Sequence, residues 1–224
     1  MSQEIKIEKK ASEVIQPLTG EEARLAIRAR QDLSGASLRG MSLDSLTAMG
    51  AILRKTDLTA ADLSHSLLVH PNFYKAAVHG AAVHNTVLIN ADLVKTSFKE
   101  SDLSNSALLN VDAEEASFED ANLRNAVIYK ANLEGATLKG AKLANARLAA
   151  INVKEADFTD ADLTGARAYN VNWEEARVPP TILPQPFVEL PNWAWVLLIG
   201  SIFGGIALIL YILFRGKKKE TEKV

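Results

Sequence analysis

Four histidines, His65, His70, His79 and His84, fall in one stretch of 20 residues and are all the histidines in the 224-residue chain. Neutral imidazoles grouped in this way are common raw material for a transition-metal site. A recurring carboxylate, at Asp57, Asp62, Asp92 and Asp102 among others, resembles an acid–base array. The chain has no cysteine, which removes disulfides, thiolate nucleophiles and thiolate metal ligation. It also has no Gly-rich phosphate loop, because the glycines from Gly35 to Gly165 recur only at multiples of five. What these groups can do depends on where the chain places them.

That placement follows from a period. From Leu33 to Trp173 every fifth residue is apolar, 29 positions in all, and leucine fills 17 of them. Five residues turn an α-helix by roughly 500°, so such leucines would line no helix face. A plain strand alternates with a period of two. Two residues before each apolar centre, alanine stands at 16 of the 29 positions. Inward residues therefore recur at i−2 and i, one strand step apart, and the chain turns before the next pair. Position i+2 supplies the turn, with seven glycines and seven asparagines, the residues that best tolerate positive φ.

The runs Ala91-Asp92-Leu93, Ala121-Asn122-Leu123, Ala131-Asn132-Leu133-Glu134-Gly135 and Ala161-Asp162-Leu163-Thr164-Gly165 resemble the pentapeptide-repeat family. The resemblance implies an all-β solenoid, a right-handed quadrilateral β-helix with four pentapeptides per coil, here about seven coils. Departures from the motif compensate in volume: Ala48 follows Leu46, and Ala113 follows Val111. The interior is expected to be full, with no room for a cofactor. On adjacent coils His65 and His84 become near neighbours, while His70 and His79 fall on other faces without a well-placed carboxylate. Solvated surface histidine is thus the expectation. The Asp residues at i−1 read as solvated or turn-bonding positions of the motif.

The segments divide by composition. Residues 1–30 make an N-terminal arm and a capping helix, with Thr19-Gly20-Glu21-Glu22 as a capping box. The repeat rod spans 31–177, and a Pro-rich linker, 178–192, is expected to stop the sheet and act as a spacer. Residues 193–214 carry no charge, against roughly 20 residues needed to cross a bilayer, and Arg215, Lys217, Lys218 and Lys219 open the basic tail 215–224. This predicts one C-terminal transmembrane helix, a single-pass anchor with Trp193 and Trp195 at one interface and Tyr211 and Phe214 at the other. The basic tail favours a rod on the far side. The lack of an apolar N-terminal run favours a cytosol-facing rod on a tail anchor, and that is the expectation, since a short tail crosses more readily than the whole rod without an export signal. Gly200 and Gly204 form a GxxxG pair, a candidate helix-dimerisation face for a homodimer.

Three function classes remain. Between Leu63 and Ala91 the chain has no Asp or Glu and one Lys, Lys75. Val69, Tyr74, Val87 and Ile89 flank the core centres there, and by register several project outward as a candidate protein-binding band. With the anchor, this describes a membrane-tethered scaffold for unknown protein partners. The resemblance implies an alternative, since some members of the family are acidic DNA mimics that bind type II topoisomerases. Residues 31–178 carry 19 acidic and 14 basic side chains, a weak and interspersed field for such a mimic. An enzyme is not expected, for want of a convergent nucleophile–base set, and no basic stripe invites nucleic acid.

Overall fold

A computed structural model describes residues 18–186. The expected membrane span 193–214, its Gly200/Gly204 pair, the basic tail and the first part of the N-terminal arm lie outside the described residues. Among the described residues no helix is long and apolar enough to cross a membrane.

The chain opens with α1 (Gly20–Arg28), capped as the sequence requires. The Glu22 backbone N–H donates to Thr19 Oγ1 at 3.3 Å, and the Thr19 N–H donates to Glu22 Oε2 at 2.8 Å. Ala23, Ala26 and Ile27 on its inner side are buried over the first coil. Seven three-residue strands follow at a spacing of 20: β1 (Thr47–Met49), β2 (Leu67–Val69), β3 (Val87–Ile89), β4 (Ala107–Leu109), β5 (Val127–Tyr129), β6 (Arg147–Ala149) and β7 (Arg167–Tyr169). They pair in parallel and in chain order, each residue i opposite i+20. The other three sides of each coil are held by single parallel bridges in the same register, such as Ser37↔Asp57, Ser42↔Asp62 and Ile52↔Asn72. The molecule is a parallel β-solenoid of about seven turns, and six strand spacings of ~4.8 Å make β1 to β7 ~29 Å long.

Every fifth residue from Arg30 to Asn170 has positive φ, whatever its type. Besides glycine and asparagine these include Lys55, Ala60, Glu115 and Ala150, at φ between 52° and 58°. The corner is imposed by stacking, and the side chain tolerates it. A left-handed conformation costs an L-residue roughly 1–2 kcal/mol, more than glycine's roughly 0.4–1 kcal/mol of extra unfolded-state entropy. Ala60→Gly is therefore expected to raise stability by about 0.5–1 kcal/mol, the reverse of the usual sign, read as a higher urea midpoint at unchanged slope.

The core is continuous from Leu33 to Ala176. Leu46 and Val111 are buried as the volume argument requires, and the Phe98 and Phe118 rings stack at 5.3 Å. Hydroxyl residues that stand in for alanine at i−2 carry their own solution. Thr86 Oγ1 donates to the Leu63 carbonyl and Thr96 Oγ1 to that of Phe73, each at 2.7 Å, so the buried hydroxyl is satisfied.

The register breaks near residue 173. A 3-10 turn, Trp173–Glu175, adds a residue, so Val178 bridges Asp157 at a separation of 21. The sheet then continues into the segment read as a linker. Gln185–Pro186 forms β8 on β7, with the Gln185 N–H donating to the Ala166 carbonyl at 3.1 Å. The prolines do not stop the ladder at 178, because the N–H groups it uses there belong to Val178 and Gln185.

Candidate functional site

The i−1 carboxylates are structural. Asp57, Asp62, Asp92 and Asp102 each accept, on Oδ1, the backbone N–H two residues on, at 2.9–3.2 Å. Asparagine does the same and also ties coils together: Asn122 Nδ2 donates to Asp102 Oδ1 at 2.8 Å, and Asn152 Nδ2 to Asn132 Oδ1 at 2.9 Å. An oxygen committed to a turn N–H is a poor base, so this array closes corners.

His65 and His84 do meet across adjacent coils, ring to ring at 5.3 Å and nearly perpendicular. Asp102 Oδ2 lies 3.8 Å from His84 Nδ1. His70 lies beside Asn90 at 3.5 Å, away from that pair. Among the described residues no group of three or more His, Asp or Glu is placed to hold a metal ion.

The charged surface includes pairs one coil apart: Lys95–Glu115 at 3.3 Å, Lys99–Glu119 at 3.2 Å and Lys154–Glu134 at 2.7 Å. Hydrogen bonding and charge from Lys154 lower the Glu134 pKa, and Glu134 raises that of Lys154. Exposed pairs of this kind contribute little to stability, but they alternate the sign of the surface.

Asp157 differs from the other carboxylates, being 3% exposed at the C-terminal end of the rod. It takes the Thr159 hydroxyl and N–H, Arg177 at 2.8 Å and Lys139 at 3.4 Å. Burial pushes its pKa up, but the Thr159 hydrogen bonds, Arg177 and the Lys139 charge outweigh burial and hold it well below the usual carboxylate range. A depressed folded pKa adds stability that is complete above the unfolded value of ~3.9 and is lost as pH falls from there towards the folded value. Asp157→Asn is expected to cost about 1–2 kcal/mol at pH 7. The gap to the parent protein should narrow as thermal melts are taken below pH ~4.

The band expected at Val69, Tyr74, Val87 and Ile89 is not one exposed patch. Val69, Val87 and Ile89 lie on β2 and β3, whose central residues Leu68 and Leu88 point into the core. The flanking residues therefore stand on the outer side of the sheet, yet they are 5%, 0% and 2% exposed. Together with Leu67, Ala107, Leu109, Val127 and Ala149 they form a second apolar cluster, separate from the core. The feature runs along the rod, as a ridge up one side, instead of around a single coil. Tyr74 sits on the next side, half-buried, with the Arg54 guanidinium 5.2 Å and Lys75 Nζ 5.1 Å from its ring centre.

Sequence comparison agrees with this geometry. The family model for pentapeptide repeats matches in eight copies over residues 32–68, 72–108, 84–120, 101–140 and 141–176. The chain belongs to the pentapeptide-repeat family. Among solved structures it is similar to QnrB1, a plasmid-mediated fluoroquinolone resistance protein, at 14% identity and a TM-score of 0.60, over 75% of this chain and 84% of that one. It is also similar to HetL, a pentapeptide repeat protein involved in heterocyst differentiation regulation from the cyanobacterium Nostoc sp. strain PCC 7120. That match has 22% identity and a TM-score of 0.36, over 68% of this chain and 86% of that one. No curated protein matches the chain. At 14% identity the likeness to QnrB1 speaks to the fold of this pentapeptide-repeat protein and to nothing further.

Proposed function

We propose that this pentapeptide-repeat protein is a non-enzymatic scaffold, anchored in a membrane by residues 193–214, whose rod offers its sides to protein partners. The observation that carries the reading is the filled interior: Leu38, Leu58, Val78, Phe98, Phe118, Leu138 and Phe158 make one column, each at most 1% exposed. With the core full and the i−1 carboxylates tied to turns, function falls to the outer faces. A rod on an anchor holds those faces near the bilayer and raises the local concentration of whatever binds them. The family resemblance keeps a type II topoisomerase as the alternative partner, but the coil-to-coil Lys–Glu pairs break up the one-sign field that a DNA mimic needs.

The test is liposome flotation of the full chain beside a chain ending at Pro186. The anchor reading expects the full chain to float at high salt and the shortened one to stay at the bottom. It fails if the full chain stays with the shortened one, or if both float. DNA-dependent inhibition of gyrase by the shortened rod would restore the alternative.

A further inference from the structure

The ridge poses a question of burial. On the other sides of the rod, an outward alanine at i−1 is only half-buried, as at Ala77 and Ala82. Stacked neighbours above and below do no better than that. On the ridge, outward Ala107 and Val87 are 0% exposed, and Val127 1%. The partly buried hydrophobic residues that pack against the cluster, Tyr129 and Tyr169, do so from its own face and each has further interaction partners, while Arg28 and Arg30 line a cavity with Leu67 and Val69 at its N-terminal end. Burial falls off towards the ends of the strip, at Thr47 and Met49 (44% exposed) on one side and at Tyr129, Arg147, Arg167 and Tyr169 on the other. A face this apolar and this dry is a seat for something that lies along it.

We infer that the ridge is the docking site for the chain's own residues 193–214, which it holds against the rod when no bilayer is present. Three observations select this occupant. The chain leaves the described rod on this same side, since β8 is stacked on β7 and ends at Pro186. The length suffices: 22 residues as a helix span ~33 Å, and the buried strip from β2 to β6 is ~19 Å long. The chemistry matches as well, because residues 193–214 carry no charge, whereas the N-terminal arm has six charged side chains in its first 17 residues. The buried stretch of the ridge from β2 to β5 is Leu, Val, Ile and Ala and offers such charges nothing. The arm also enters elsewhere, with Gly20 against Ser42 on the preceding side of the coil.

The inference rests on the anchor reading and adds regulation to it: rod and bilayer compete for one apolar segment. The seat covers one side of a helix that is apolar all round, so lipid, which covers every side, wins when it is reached. Delivery to a membrane then uncovers the ridge, which becomes available to partners only on the anchored protein.

The absence of native cysteine makes the test direct. A coil height equals about three residues of helix rise, so from residue 193 beside β7 the helix reaches β4 near residue 203. Leu109→Cys with Phe203→Cys, in full chain synthesised without lipid or detergent and oxidised with copper phenanthroline, is expected to give an intrachain disulfide in most molecules. Glu119→Cys with Phe203→Cys, on the opposite side of the same coil, should give at least tenfold less. In chain floated with liposomes before oxidation, the 109–203 yield should also fall at least tenfold. No disulfide in protein whose circular dichroism melt matches the parent would overturn the inference, as would an interchain product, which would assign the ridge to a second copy. An undiminished yield in the floated fraction would overturn the competition. Flotation without the disulfide removes docking and leaves the anchor, and the disulfide without flotation removes the anchor and leaves docking.

Discussion

Removing residues 101–120, one whole coil, is expected to leave a shorter rod that still folds cooperatively. Removing residues 101–119 is expected to leave everything after the cut unfolded. The first deletion joins Glu100, a positive-φ corner, to Ala121, an inward residue, and so reproduces the native order. Its cost is one coil–coil interface, as in any nearest-neighbour stack. The second shifts all later pairing by one residue, and a one-residue slip turns an inward set of side chains outward. The next coil buries four large apolar centres, Leu123, Ile128, Leu133 and Leu138, worth roughly 6–12 kcal/mol together at 1.5–3 kcal/mol apiece, so a misregistered coil cannot hold. Circular dichroism and urea titration separate the cases. The in-phase deletion should keep a single transition with a smaller slope, while the other should lose about half of the folded signal. A folded, single-transition product from the 19-residue deletion would contradict the 20-residue register.

Phe118→Ala is the point substitution with the largest expected cost, about 3–5 kcal/mol. The ring is 1% exposed and lies nearly parallel (4°) to Phe98 on the coil before it. A rod cannot collapse around the gap, because the stacking of the coils above and below fixes its cross-section. Phe118→Leu is expected to cost below about 1.5 kcal/mol, since leucine already fills the next place in the column, Leu138. Urea midpoints at unchanged slope give both numbers. Equal losses for alanine and leucine would mean that the ring pair, rather than volume, sets the stability there.

Most of the fold was legible because the fold is periodic. The inward columns at Leu43, Leu63, Leu103 and their equivalents, the α1 cap at Thr19 and Glu22, and the turn role of Asp57 and Asp102 follow from spacing and side-chain chemistry. Two things were not. Corners at Lys55, Glu115 and Ala150 adopt positive φ against their own preference, so no local residue signal marks them. The C-terminal register changes at Trp173 because a 3-10 turn inserts there, and a regular apolar centre at that position hides the insertion.

The ridge is hidden from sequence reading for a different reason. Proximity in sequence groups Val69, Val87 and Ile89 with Tyr74 as a band within neighbouring coils. The informative comparison is across 20 residues. Leu67–Val69, Val87–Ile89, Ala107–Leu109 and Val127–Tyr129 are each three apolar residues in a row. Unbroken apolar strands are the mark of a sheet covered on both sides, and a one-sided sheet would alternate. Tyr74 stands on the next side, where polar neighbours alternate as expected for an open face.

The measurement that bears most directly on the scaffold is site-specific photo-crosslinking of the full chain in intact membranes. One probe replaces Tyr74 and another replaces Lys139, on a different open side of the rod. The account predicts a discrete adduct with a second protein at Tyr74 and none at Lys139. Silence at both positions, in chain shown to be membrane-bound, would contradict a partner surface on the Tyr74 side and leave an anchored rod without the role assigned to it.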